Sequence, residues 1–163
     1  MEILDLYDDY GNKLEKTIVR GDIPRDNENI MLSIIFIKNS DGKYLIQKSS
    51  KEKGGNYTTT GGHVTHNEDS LTTIIRELAE EIDLTDVEKN IKHLVTFKYP
   101  DRYCLFAVYL LENINVDITK IKLQKEEVES VSWLTKEEIL ELIDNSSFLE
   151  SHGYIFKNYV VGE

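Results

Sequence analysis

Cysteine is nearly missing from this chain. Cys104 is the only one, so no disulfide can close within the chain and no cluster of thiolates can hold zinc. Its surroundings, "RYCLFAVYLL", read as a buried strand. That makes it a small core hydrophobe in a reducing compartment rather than a reactive thiol. Proline is scarce as well, with two residues, and 40% of the chain is hydrophobic, which argues against disorder. No apolar run reaches about 18 residues, so a membrane-spanning helix is excluded. Positive charge is in short supply: 19 bases against 30 acids leave a net charge of −11. With no basic patch, such a chain repels duplex nucleic acid. A polyanionic substrate must then arrive with metal ions or meet a few placed Lys or Arg side chains. The opening "MEILDLYDDYGNK" is acidic and alternating, where a secretory leader is basic and then apolar, so a cytoplasmic location is expected. Neither repeats nor low-complexity linkers interrupt the 163 residues, which suits one domain over 1–163.

Alternation in "EILDLYD", a turn at "DYGNK" and then "KTIVRG" predict an N-terminal hairpin. "IMLSIIFI" is continuously apolar and reads as a central strand covered on both faces. "KNSDGK" supplies a turn and "YLIQKS" the returning strand. "KEKGGNYTTTGGH" is a loop with two glycine pairs. In "SLTTIIRELAEEI" the residues Leu71, Ile74, Ile75, Leu78 and Ile82 share one side at helical spacing, with Ser70 near the N-cap. "IKHLVTFKY" and "RYCLFAVYLL" are strands around "PD", and "VESVSWL" is another. "TKEEILELID" carries a capping box, Thr135 with Glu138, and "SSFLESHGYIFKNYVV" closes the chain as helix. Strands and helices are interspersed, so the fold class is α/β, a sheet covered by helices on both faces.

The helix "IIRELAEEI" sets Glu77, Glu80 and Glu81 at positions i, i+3 and i+4, where side chains are neighbours. In water each such like-charge contact costs a few tenths of a kcal/mol, on the order of 0.2–0.5. A solvated acidic face is the plain explanation. The alternative is a socket for hard divalent cations such as Mg²⁺ or Mn²⁺, which take oxygen ligands. The flank favours the socket. Gly61 and Gly62 allow close backbone approach to a ligand, Glu68 and Arg76 form an opposite-charge pair, and six acids stand against one base between Gly62 and Leu84.

Counted from Gly62, five residues lead to Glu68 and seven more to Arg76-Glu77-Leu78, followed by Ala79, Glu80-Glu81, Ile82, Asp83 and Leu84. The pattern resembles the Nudix box, G-x(5)-E-x(7)-R-E-U-x-E-E-x-G-U with U aliphatic. Only Asp83 departs, standing where the family has glycine. That position lies just past the helix, where a left-handed residue ends it, and Asp tolerates the conformation better than most side chains. The likeness extends over "LYDDYGNKLEKTIVRGDIP", "YLIQKSSKEK", "TGGHV" and "EVESVSWLTKEEIL". Those stretches look like the subgroup related to isopentenyl-diphosphate isomerase and its hydrolase cousins.

The resemblance implies a Nudix fold, an α/β/α sandwich around a mixed β-sheet. It also implies hydrolysis of the phosphoanhydride in a nucleoside diphosphate linked to another moiety, or in a similar small pyrophosphate. By that likeness Glu80 and Glu81 bind Mg²⁺ or Mn²⁺ with help from the Gly61 carbonyl. Glu77 binds a second ion or orients and deprotonates the attacking water, and Glu68 with Arg76 holds loop to helix beside Gly62. An acid outside the box is expected to join them, Glu127 first and Glu126 behind it. Lys53, with Lys48 or Lys51, would grip phosphate. Tyr57 either stacks on a substrate ring or packs its loop. His63, His66, His93 and His152 show no ligand spacing and read as loop or surface residues. Two other readings stay open: a nucleotide-sensing binding module, and an isopentenyl-diphosphate isomerase, which needs a catalytic cysteine that mid-strand Cys104 does not supply. The expected partner is a small nucleoside diphosphate derivative, with no nucleic acid duplex and no membrane, and a homodimer is possible.

Overall fold

A computed structural model describes residues 1–162. The continuously apolar run becomes β3 (Ile30–Ile37), the centre of the molecule. It lies parallel to β8 (Cys104–Leu111) over eight paired positions, from Ile30 beside Cys104 to Ile37 beside Leu111. On its other edge it runs antiparallel to β6 (Gly61–His63). With β7 (Ile91–Lys98) outside β8, this makes a mixed four-stranded sheet in the order β6-β3-β8-β7. Side chains alternate along β3, so its two apolar faces feed two cores. Ile35 and Ile37 join Leu105, Ala107 and Leu111 under one helix, while Ile34 and Phe36 join Phe106, Val108, Tyr44 and Ile46 on the other side.

The helix over the first core is α1 (Ser70–Ile82). Ile74, Leu78 and Ile82 are fully buried at i, i+4 and i+8. Leu71, expected on the same side, lies in the first turn and is exposed. Asp69, not Ser70, caps the helix: its carboxylate accepts from the Thr72 N–H at 2.7 Å. An acid suits this end, where free N–H groups carry partial positive charge. Ser70 instead meets the Tyr109 hydroxyl at 2.6 Å, and its carbonyl accepts from the buried Ser33 hydroxyl at 2.6 Å, which fastens the helix start to β3. At the far end Asp83 is left-handed (φ 55°, ψ 32°), and the Asp83 and Leu84 N–H groups both return to the Leu78 carbonyl. Asp thus performs the glycine's conformational task.

The second core is closed by α2 (Lys136–Asp144) and α3 (Glu150–Ile155), through Ile139, Ile155 and Phe156, the last opening a π-helical turn over Phe156–Val160. The Thr135–Glu138 capping box is present in both directions. Helices on opposite sides of sheets that include the mixed one are the expected α/β/α sandwich.

One pairing differs. The "KNSDGK" turn forms, with the Asn39 N–H on the Lys43 carbonyl at 2.9 Å, but β3 and β4 (Tyr44–Ser49) share only the Lys38–Tyr44 bridge. Beyond it the strands part. β4 pairs with β9 (Val128–Leu134) and β5 (Tyr57–Thr58) in a second, antiparallel sheet. Both edges of β3 are already taken by β6 and β8, so β4 faces it across the second core instead. The N-terminal hairpin, β1 (Ile3–Tyr7) with β2 (Lys13–Val19), forms as expected.

Candidate active site

The second glycine pair is not in a loop. Gly61 and Gly62 lie in β6, and neither needs a positive φ. What they provide is proximity: a Cβ on Gly61 would stand 2.8 Å from the Ser33 carbonyl oxygen, and one on Gly62 would stand 2.5 Å from Glu77 Oε1. Bare backbone at Gly62 therefore lets the α1 carboxylate fold down against the sheet. The turn conformations belong to the first pair, Gly54 (φ 109°) and Gly55 (φ 67°).

From β6 a short segment leads to α1, and Glu68 anchors it. Arg76 grips Glu68 with two prongs, Nε to Oε2 and Nη2 to Oε1, both at 3.0 Å. The hydroxyls of Thr73 and Thr65 donate to the same carboxylate at 2.5 and 3.2 Å. The Arg76 bonds, aided by Thr73 and Thr65 against the cost of burial, hold the Glu68 carboxyl down to about 2. Nη1 of Arg76 continues to Glu77 Oε1 (3.0 Å) and Glu80 Oε2 (3.4 Å), so one guanidinium touches three of the four glutamates in the motif.

Glu77, Glu80 and Glu81 line a cleft of about 300 Å³ together with Gly61, Gly62, Arg76, Lys53, Gln124 and Glu127. Of the acids outside the motif proposed from sequence, Glu127 reaches it; Glu126 borders separate surface depressions. Burial pushes the carboxyl of Glu81 up, and the neighbouring Glu77 charge and hydrogen bond add to it. Burial also raises Glu77, against the opposing pull of Arg76. Glu77 and Glu81 thus perturb one another, while Gln47, buried on β4, donates to the Thr60 hydroxyl and borders the cleft beside Glu81. Crowded carboxylates of this kind are relieved by a proton or by a cation, and an all-oxygen donor set is what Mg²⁺ or Mn²⁺ takes. Among the described residues no three His, Cys, Asp or Glu side chains converge as a ready ion cage, because Arg76 occupies Glu77 and Glu80. The donors suit a hard cation in chemistry, and they would have to turn from Arg76 to close on it.

The other residues singled out from sequence divide. Lys53 stands at the cleft, 3.4 Å from Glu127. Lys48 pairs with Glu129 and Lys51 lines a separate depression. Tyr57 is not brought to the carboxylates: it packs against the second core and lines a different cavity with Leu134 and Leu142, the packing option of the two foreseen. His152, read from sequence as a surface residue, instead lines the continuation of the cleft beside Gly61, Thr58 and Phe106. Its Nδ1 receives the Thr58 hydroxyl and, at 3.5 Å, the Thr59 N–H, while burial lowers the ring to about 3, so it is neutral. Arg20, Gln47, Glu2 and Gln124 also border the cleft without having been singled out from sequence, and His63, read as a loop or surface residue, ends β6 and lines both parts of it. Gln47 left a trace, a lone amide inside the apolar "YLIQKS".

The NUDIX domain model matches residues 31–152. A Nudix hydrolase of Listeria innocua is 29% identical over 162 residues, covering 97% of this chain and 92% of its own. Among solved structures, DR0079 of Deinococcus radiodurans aligns with a TM-score of 0.73 at 22% identity, over 90% of this chain and 91% of that one. The dihydroneopterin triphosphate pyrophosphohydrolase of E. coli aligns at 0.60 and 15% identity, over 82% and 96%. With the family's motif in place around the cleft and its domain matched over three quarters of the chain, this protein belongs to the Nudix hydrolase family.

Proposed function

We propose that the protein hydrolyses a phosphoanhydride in a nucleoside diphosphate linked to another moiety, or in a similar small pyrophosphate, with Mg²⁺ or Mn²⁺ bound by Glu77, Glu80, Glu81, Glu127 and the Gly61 carbonyl. One observation carries this reading: Glu77, Glu80, Glu81 and Glu127 border a single cleft that Lys53 also lines. Bound there, the divalent ion would neutralise diphosphate charge and make water more acidic. The chain's own groups do the rest. Lys53 holds phosphate oxygen, and Glu77 or Glu81 accepts a proton from the attacking water. The new P–O bond forms as the anhydride P–O bond breaks, and the leaving phosphate departs as an anion. Glu68 and Arg76 keep the β6–α1 segment in register while this happens.

Retention of Glu77, Glu80 and Glu81 at the cleft favours cleavage over nucleotide sensing. Cys104 borders neither part of the cleft, which leaves an isomerase without its thiol. A panel of nucleoside di- and triphosphates, dinucleoside polyphosphates and nucleotide sugars, with Mg²⁺ or Mn²⁺ and a phosphate readout, tests the reading. Metal-dependent release from at least one is expected. Tight nucleotide binding without turnover on any would overturn it in favour of sensing.

A further inference from the structure

The matched family segment begins at residue 31, yet one wall of the cleft comes from before it. The hairpin β1–β2 is fastened to the segment between β6 and α1: Leu4 bridges to Thr65, and the His66 N–H donates to the Ile3 carbonyl at 2.8 Å. The buried Asp5 carboxylate adds His66 Nδ1 at 2.7 Å and the Asn67 N–H at 3.0 Å. This docking carries Arg20, just past β2, to the cleft. Its side chain borders both the carboxylate end, with Glu77, Glu80 and Glu81, and the continuation, with Thr58, Phe106 and His152.

Three cations stand at that carboxylate end, and they are not equally free. Arg76 is committed to Glu68, Glu77 and Glu80. Lys53 lies on Glu127, a proposed metal ligand. Among the described residues Arg20 pairs with Glu2 alone, Nη1 to Oε2 at 2.9 Å, and the two side chains are 52% and 47% exposed. Such an exposed ion pair is weak and screened. A diphosphate offers more charge and a geometry matched to the guanidinium fork, so the exchange of partners is favourable.

We propose that Arg20 is a substrate-binding residue, gripping the anionic diphosphate in the cleft, with Glu2 as its resting partner. The N-terminal hairpin is thereby part of the functional site. The inference rests on the hydrolase reading for the ligand class, a diphosphate, but not for turnover.

Calorimetric titration of the full chain with Mg²⁺–ADP and with Mg²⁺–pyrophosphate separates the two. Arg20→Ala is expected to weaken binding of these probes by about 10- to 100-fold, the loss typical of a charged hydrogen bond. Mg²⁺ affinity in their absence and the melting temperature should stay unchanged. Arg20→Lys should recover part of the affinity, and Glu2→Gln should bind as tightly as the parent or tighter. With any pyrophosphate the parent cleaves, Arg20→Ala should raise KM and leave kcat within about 3-fold, the pattern of lost uniform binding. Unchanged affinity in Arg20→Ala would overturn the assignment. So would an equal loss in Glu2→Gln accompanied by a lower melting temperature, since the pair would then merely prop the hairpin. Binding of the probes by the parent, lost in Arg20→Ala, together with no turnover of any member of the substrate panel, supports Arg20 and refutes the hydrolase. No binding of either probe by the parent overturns the Arg20 assignment, while turnover of any panel member would still uphold the hydrolase.

Discussion

At Gly62 the room for a side chain is already taken. A Cβ there would lie 2.5 Å from Glu77 Oε1 and 2.7 Å from Cδ, so Gly62→Ala must push the Glu77 carboxylate away. The expected result is a fall in kcat of about 10-fold or more, since sub-ångström misplacement of a catalytic group is costly, with only a small drop in melting temperature. Asp83 gives the converse prediction. It already holds the left-handed backbone that glycine holds elsewhere in the family, φ 55°. Asp83→Gly should therefore leave activity unchanged and shift stability by less than about 1 kcal/mol, relief of strain offsetting added freedom of the unfolded chain. Asp83→Val, β-branched at positive φ, should cost about 1–2 kcal/mol by thermal melting. The box residues were legible from sequence because they act at short range: Glu68 and Arg76 meet across one segment and one helical turn. Arg20, Gln47 and His152 were not, since β1–β2, β4 and α3 bring them to the cleft through pairings no local spacing records.

Elements were legible to the same degree and for the same reason. Helical period marked α1 and a capping box marked α2, whereas the apparent β3–β4 hairpin opened into two sheets, because occupancy of both β3 edges is decided by β6 and β8. Removing the core anchor of α1 by Leu78→Ala should cost about 2–5 kcal/mol in chemical denaturation. The hairpin's tie to the β6–α1 segment has a pH signature. Burial works to raise the Asp5 carboxyl, but bonds from His66, the Asn67 N–H and Lys13 outweigh it and bring it below its usual 3.8. A carboxyl depressed in the folded state stabilises fully above that value and loses the contribution as pH falls through its lower folded one. The stability gap between the parent and Asp5→Asn should thus be widest near neutrality and narrow below about pH 4. A gap independent of pH would show that Asp5 acts through packing alone.

Taken as a whole, the molecule is acidic, −11 overall, and gathers acids even at its cleft. The first core, on one side of β3, holds α1 through Ile74, Leu78 and Ile82, so the crowding of its glutamates is imposed by the fold rather than chosen by the side chains. That crowding implies a cation. Glu81 is the place to ask, being half-buried in the cleft and raised by that burial and by the neighbouring Glu77 charge. Glu81→Gln keeps size and hydrogen bonding and removes the charge, so melting should stay at or above that of the parent. Metal-dependent turnover, measured with the best substrate of the panel across a Mg²⁺ titration, should fall by about 100-fold or more. Full activity in Glu81→Gln at the same Mg²⁺ requirement would contradict the account.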